Sequence, residues 1–424
     1  MKIDEQRFFE DGYLIIREAV PADQLADLRL TAEILVDRCK ARSEANRGPG
    51  GPRGGEWYAG VQPRVNVHEV VDEETASVVD FLLGPTVHGV SHQIMGTPES
   101  AITSMQITCS GLIDYGHTDW HRDSSAREQA PLSGLQNDLM ANRPGYLQWN
   151  IALYDDDVFW VVPRSHDRPT DEEQRCQLML DPTSALQHGT PVELAAGDGI
   201  VYPNVIMHWG SYYSSRLRRT LHFGFRSYGG DIFPYTHYPE WDVELGFTAC
   251  LSETARTHFS RAVELLDRER DDIEAAFGAA IDRDADAFRE LIARLHPGPE
   301  ERMTAVVLLC RIAEKVRLLH TPEVQQMGIE ERHRALAGPV RGEYYESLGR
   351  RFGAEEASAL QQRFAPLDER LAADAARVHE RYAAVYAELK PDAESPPNFE
   401  SRALRQFHSD MPFEFGVDEF VASW

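Results

Sequence analysis

A change of texture along the chain is the strongest constraint on what it can fold into. Between about residues 88 and 228 the apolar residues come in short bursts rich in β-branched and aromatic side chains: ITSMQIT, YLQWNIALY, FWVVP, PVEL, GIVYP and RRTLHFGFRSY. Turn-forming runs such as AAGDG at 195–199 separate them. Segments this short, without helical stretches between them, cannot bury an apolar face singly. They have to pair as an antiparallel sandwich or barrel, of which the double-sheet jelly roll is one form.

After about residue 250 the period changes. Phe259, Val263, Leu266, Ile273 and Phe277 recur at helical spacing, as do Val306, Leu309, Ala313, Val316 and Leu319. A run at 366–390 rich in Ala, Glu and Arg stops before Pro391. The expected fold class is therefore a mostly β core (a double-stranded β-helix, or jelly roll) with flanking helices and a large α-helical C-terminal region. The expected division is a β-rich domain over 1–250, a helical region over 251–392 and a tail over 393–424. The helical region reads as a cap on the site or the interface of a homodimer, and the aromatic-rich tail as folding back onto the body. Ahead of the sheet, PADQLADLRLTAEILVDRC carries a helical stripe, and RGPGGPRGG at 47–55 reads as a loop.

At 424 residues the chain exceeds one ordinary domain. A net charge of −26 repels phosphate backbones and anionic lipid, which disfavours nucleic acid and membrane surfaces as partners. No apolar run approaches the roughly 18 residues a spanning helix needs, and MKIDEQRFFEDGY lacks the pattern of a signal peptide. The expectation is a cytoplasmic protein whose partner is a small-molecule substrate. The five cysteines are dispersed, without Cys-x-x-Cys spacing, so neither a disulfide framework nor a thiolate zinc site is expected.

The segment GHTDWHRDSS holds two His-x-Asp tripeptides, His117-Thr118-Asp119 and His121-Arg122-Asp123. On a strand, residues i and i+2 point the same way with Cα atoms roughly 6.5–7 Å apart, so an imidazole and a carboxylate can converge on one ion. A histidine from a second strand completes a two-His-one-carboxylate triad, the ligand set of non-heme Fe(II) oxygenases. One such tripeptide is expected by chance in a chain like this, on the order of one. If 117–123 were one extended strand, the two pairs would share a face about 13 Å apart and could not both serve one ion. The residues alone leave the choice open. Downstream, His208 follows a Gly-Asp-Gly turn, and the pair Arg218-Arg219 comes ten residues after it.

Taken in order, FFEDGYLIIREAVPADQL, WHRD, VVPRSHDR, the GDG turn, His208 and the following arginine span residues 7–228. This ordered set resembles the phytanoyl-CoA dioxygenase family of Fe(II)/2-oxoglutarate-dependent oxygenases. One position departs: Arg164 stands where the family commonly has Gly before Ser. The resemblance implies His121, Asp123 and His208 as the iron ligands, with Fe(II), 2-oxoglutarate and O2 as cofactor and cosubstrates. Trp120 and a polar loop over the site, SSAREQAPLSGLQNDLMANRPG, match the family around His121/Asp123 rather than around His117/Asp119. An arginine is implied as the partner of the distal carboxylate of 2-oxoglutarate, a task suited to its planar fork. Alternation on RRTLHFGFR puts Arg218, Thr220 and His222 on one face and Arg219, Leu221, Phe223 and Phe225 on the other, which favours Arg218 over Arg219.

The activity implied is hydroxylation of a small organic molecule, such as a natural-product intermediate, with release of succinate and CO2. Retention of Asp123 argues against halogenation, in which a small residue there frees a position for chloride. Desaturation, cyclisation or epimerisation are alternative outcomes on the same centre. A chain without iron chemistry would be a non-catalytic jelly-roll ligand-binding protein. Of the remaining polar residues, His166 reads as a turn residue, His222 as pocket or core, Ser211 as a loop serine, and Asp155-Asp156-Asp157 as a solvated turn.

Overall fold

The computed structural model describes residues 2–58, 61–123, 132–228, 241, 245–295, 304–336, 339–395 and 417–424. Its strands are β1 (Leu14–Ile16), β2 (Arg64–Asn66), β3 (Ser100–Cys109), β4 (Gly116–His117), β5 (Tyr146–Ala152), β6 (Phe159–Val161), β7 (Thr190–Pro191), β8 (Gly199–Pro203), β9 (His208–Tyr212) and β10 (Arg219–Ser227). They form a six-stranded sheet in the order β1-β8-β5-β10-β3-β2 and a four-stranded sheet in the order β4-β9-β6-β7. The paired strands run antiparallel. With flanking helices and a helical C-terminal half, this is the mostly β, jelly-roll core expected from the sequence.

Alternation along each strand sorts the side chains into two layers. On the large sheet, Leu221 and Phe223 of β10, Met105 and Ile107 of β3, and Trp149 and Ile151 of β5 lie in one buried cluster with Leu28, Ala32 and Leu35 of the helix Leu25–Ala45. The opposite face carries Gln106, Gln148, Asn150, Thr220 and His222, facing the space between the sheets. One end of that space is filled by Ala152, Phe159, Val161, Ile200, Tyr202 and Ile206. The polar face is thereby left to line the remainder.

The helical region packs on the back of the four-stranded sheet. Trp120 and Trp209 share a cluster with Leu266, Ile273 and Phe277 of the helix Glu253–Asp282 and with Val306 and Leu309 of the helix Thr304–Leu319. The first of these helices starts with Ser252, whose side chain accepts from the Ala255 N–H as an N-cap. At the chain's end, Phe420 of the short helix Val417–Ala422 sits against Phe288 and Phe364. The rest of the expected tail, 396–416, lies outside the described residues. No described helix is long and apolar enough to cross a membrane.

Two segments depart from the sequence reading. His88–Met95, inside the stretch read as β, is a helix. Val90 and Ile94 are buried one turn apart, and Gly96 ends the helix at φ 71°, in the left-handed region glycine favours. The polar stretch after Asp123 holds the helix Leu132–Asn142 rather than a continuous loop, while 124–131 lie outside the described residues.

Candidate metal centre

The two histidines of the His-x-Asp pairs end on opposite faces, and a count of residues explains why. His117 is in register with Ser211, and His121 bridges His208. Four residues on one strand therefore match three on the other. The extra residue is a β-bulge, and it reverses the facing of everything beyond it. His121 consequently points with His208 into the space between the sheets. His117 instead lies flat on Trp209, ring centroids 4.1 Å apart and planes within 5°, with Trp120 stacked on the other side of Trp209 at 4.4 Å. The single extended strand considered from the sequence does not form, so His117 and His121 do not share a face.

His121, Asp123 and His208 come together: one ligand atom from each lies within 4.8 Å of the others, the one such cluster of three or more among the described residues. The His121 Nδ1 is 2.7 Å from the Asp119 carbonyl, and the His208 Nδ1 is 3.0 Å from the Ile206 carbonyl. A carbonyl oxygen only accepts, so in each ring Nδ1 carries a proton, and in the neutral imidazole, the form that binds a metal, Nε2 presents its lone pair. Those lone pairs face the Asp123 carboxylate at 3.5 Å (Oδ1) and 3.4 Å (Oδ2). Electron-rich atoms this close repel, and a cation among them removes the conflict. The backbone is equally constrained: His121 and His208 exchange both N–H···O bonds, at 3.0 and 2.9 Å, and the Asp123 N–H donates to the Asn204 carbonyl at 2.8 Å.

Around this set lie residues that the sequence reading did not single out. The Gln148 amide donates to Asp123 Oδ2 at 2.9 Å. Its own Oε1 is buried without a partner, an acceptor directly beside the carboxylate. Asn150 donates to the Tyr202 hydroxyl at 3.3 Å, and its Oδ1 lies 2.7 Å from His222 Nδ1. Burial, helped by the Arg64 charge, pushes His222 down to about 3, so this imidazole stays neutral. Burial holds the Tyr202 phenol well above its usual range. A signal for Gln148 and Asn150 was present in LQWNIA, where they alternate with Leu147, Trp149 and Ile151. An imidazole pair with both outer nitrogens tied, a carboxylate held by an amide, and an absence of thiolates suit a borderline divalent ion such as Fe(II).

Arg218 and Arg219 part as alternation requires. Arg219 turns outward, its Nε 2.9 Å from Glu33 on the helix Leu25–Ala45. Arg218 turns inward and is only 9% exposed. Its Nε donates to Asp156 at 2.8 Å, and its guanidinium carbon lies 5.9 Å from the Tyr212 ring centroid. The run Asp155-Asp156-Asp157 is thus not a solvated turn throughout, because Asp156 is buried. Burial alone would raise its carboxyl, but the Arg218 charge and the hydrogen bonds it accepts more than reverse this, and it sits below the usual range.

The remaining candidates have structural partners. Ser211, read from the sequence as a loop serine, lies in β9 and bonds His117 on the face turned away from His208. His166 is fully buried beneath Gly12, with Nε2 2.9 Å from the Phe9 carbonyl. Arg164 takes φ 64°, the left-handed conformation that explains why glycine suits this turn.

A family profile described as phytanoyl-CoA dioxygenase (PhyH) matches residues 8–220. No curated protein matches the chain. Among solved structures, AviO1 from Streptomyces viridochromogenes Tue57 is similar at 20% identity, with 54% of this chain and 96% of that one covered and a TM-score of 0.37. SnoN, a non-heme alpha-ketoglutarate-dependent epimerase from nogalamycin biosynthesis, is similar at 15% identity, covering 53% and 81%, with a TM-score of 0.36. EctD from S. alaskensis with bound Fe is similar at 15% identity, covering 53% and 75%, with a TM-score of 0.38.

Proposed function

The chain belongs to the phytanoyl-CoA dioxygenase family, and on that premise we propose that it is an Fe(II)/2-oxoglutarate-dependent oxygenase that hydroxylates a small organic molecule. Membership makes it an enzyme of the Fe/2-oxoglutarate-dependent type, with O2 as the second cosubstrate. The observation that carries the reading of the site is the facing of the His121 and His208 Nε2 atoms onto the Asp123 carboxylate. His121, Asp123 and His208 are the residues that would hold the iron. When bound, iron with 2-oxoglutarate and O2 supplies the oxidising power, and succinate and CO2 leave as coproducts.

The chain's own part is placement. The Asp119 and Ile206 carbonyls fix the tautomer and tilt of the two imidazoles, and Gln148 holds the carboxylate in its rotamer. The Arg218 guanidinium, buried on the same inner face as Thr220 and His222, is the group to pair with the distal carboxylate of 2-oxoglutarate. His222, kept neutral by burial, and Asn150 line the space left for the substrate.

The test is anaerobic addition of Fe(II) and 2-oxoglutarate to the full chain, followed by air. A visible charge-transfer band and succinate formation are expected. Absence of both would overturn the enzyme reading in favour of a non-catalytic ligand-binding jelly roll. Exposure to small-molecule extracts with mass detection then separates the outcomes: gain of one oxygen atom means hydroxylation, loss of two hydrogens means desaturation or ring closure, and a product of unchanged mass means epimerisation.

A further inference from the structure

The three consecutive aspartates at 155–157 have three different fates. The Asp155 carboxylate accepts the Ala196 N–H at 2.9 Å, and Asp157 pairs with the exposed Arg216. Asp156 points the other way, into the protein. Its Oδ2 accepts from Arg218 Nε and from the Thr220 hydroxyl, each at 2.8 Å, and its Oδ1 accepts the Val158 N–H at 3.1 Å. Its backbone exchanges two hydrogen bonds with Leu194, both 2.9 Å. The carboxylate is therefore anchored at both oxygens and at the main chain before it meets the arginine.

What it meets is one edge of a planar fork. A guanidinium offers its donors in fixed directions. Asp156 takes the Nε direction through a single oxygen, where a carboxylate facing the two terminal nitrogens would have occupied the edge that recognises another carboxylate. At the other end, the Arg218 main-chain N–H donates to the Ser110 hydroxyl at 2.7 Å, so the base of the side chain is pinned as well. An unanchored arginine keeps rotamer entropy that a ligand would have to overcome. Burying it without a counter-charge would cost more still. Asp156 meets both demands in the absence of ligand, with the Tyr212 side chain as a further hydrogen-bond partner of the guanidinium.

We propose that Asp156 is a positioning residue for the cosubstrate: it grips Arg218 by the Nε edge so that the terminal nitrogens are set for the distal carboxylate of 2-oxoglutarate. This rests on the reading of Arg218 as the partner of that carboxylate. A competing physical effect makes the proposal decidable. Asp156 also neutralises Arg218, and if neutralisation dominated, removing the charge would strengthen the attraction for a second carboxylate. Positioning predicts the opposite sign.

The experiment is anaerobic calorimetry on the full chain loaded with Mn(II), titrated with 2-oxoglutarate and with 2-oxobutanoate, which has the same 2-oxo acid head but no distal carboxylate. Asp156→Asn is expected to weaken 2-oxoglutarate about tenfold, the scale of one charge-assisted hydrogen bond. It should leave 2-oxobutanoate changed by no more than about twofold and metal stoichiometry unaltered. Thr220→Val, which removes one of the bonds that hold Asp156 while keeping its shape, should act in the same direction by about threefold, and it carries the test if the first variant fails to fold. Equal weakening of both acids, or loss of metal, would reduce Asp156 to a structural role and overturn the proposal. Unchanged or tighter binding of 2-oxoglutarate would overturn it too. Arg218→Met separates the two levels: if it leaves 2-oxoglutarate binding unchanged, the reading of Arg218 itself has failed. If it weakens binding and Asp156→Asn does not, only the inference about Asp156 has.

Discussion

Arg226, near the end of β10, and Glu269, in the helix Glu253–Asp282, meet fork to fork with side-chain exposures of 0% and 6%. The pair joins the six-stranded sheet to the helical region out of reach of water. Burial pushes the Glu269 carboxyl above the usual carboxylate range even with the guanidinium beside it. Removing one partner leaves a buried charge uncompensated, so Arg226→Met or Glu269→Gln is expected to cost about 3–5 kcal/mol. The double substitution Arg226→Met/Glu269→Gln should recover much of that loss. Urea unfolding of the three variants checks it, and an additive double mutant would contradict it.

The ligand assignment makes a contrast between two histidines four residues apart. His121→Ala is expected to abolish retention of iron through gel filtration, read by metal analysis, because it removes one of two imidazoles. His117→Ala should retain the metal and lose about 1 kcal/mol of stability, the scale of one ring stack on Trp209. The reverse outcome would transfer the ligand role to His117 and Asp119.

Arg164 is exposed and holds φ 64°. An L side chain pays about 1–2 kcal/mol for that region, part of which glycine returns through its looser unfolded chain. Arg164→Gly is therefore expected to stabilise the fold by about 0.5–1 kcal/mol, seen as a raised Tm. The Arg164 N–H bond to the Asp11 carbonyl, 2.9 Å, is kept in the variant.

Away from the metal site, His88, His92 and His258 pack ring to ring, with centroids 3.9 and 4.9 Å apart around His88. Burial, with the neighbouring His258 and His92, pushes His88 down to about 3, and burial pushes His258 down to about 4 and lowers His92. Unfolded histidines titrate near 6.5, so on acidification the unfolded chain takes up protons first. The stability contributed by the neutral cluster is complete above about 6.5, falls as pH drops through the interval below it, and levels off near 3 to 4. The slope is at most about 1.4 kcal/mol per pH unit for each histidine. His88→Phe, which preserves the stack on Phe225, should flatten that slope in urea unfolding at stepped pH.

Much of the architecture and part of the site were legible in the sequence, for identifiable reasons. Period two separated Arg218 from Arg219 because β10 is regular over Arg219–Gly224 against β5 and β3, so the face of each side chain follows from counting. The same counting went astray at His117, because the bulge is visible only against the partner strand, where Ser211 and His208 are three residues apart. Asp156 was hidden among like charges, since a run of aspartates looks solvated until its long-range partner is known. The helix His88–Met95 was missed because Val90 and Ile94 give it little apolar period in so short a segment.

The tie between Arg226 and Glu269 also bears on how such a chain changes over evolutionary time. β10 carries Thr220 and His222 to the cavity and Arg226 to the helix, and a paired strand does not slide along its neighbours without breaking its whole ladder. A descendant that exchanged its helical half for an unrelated one would have to bring a carboxylate to the place of Glu269, replace Arg226 at the same time, or leave a guanidinium stranded. Exchanging one half therefore calls for a compensating change in the other, at the far end of the strand that also lines the cavity.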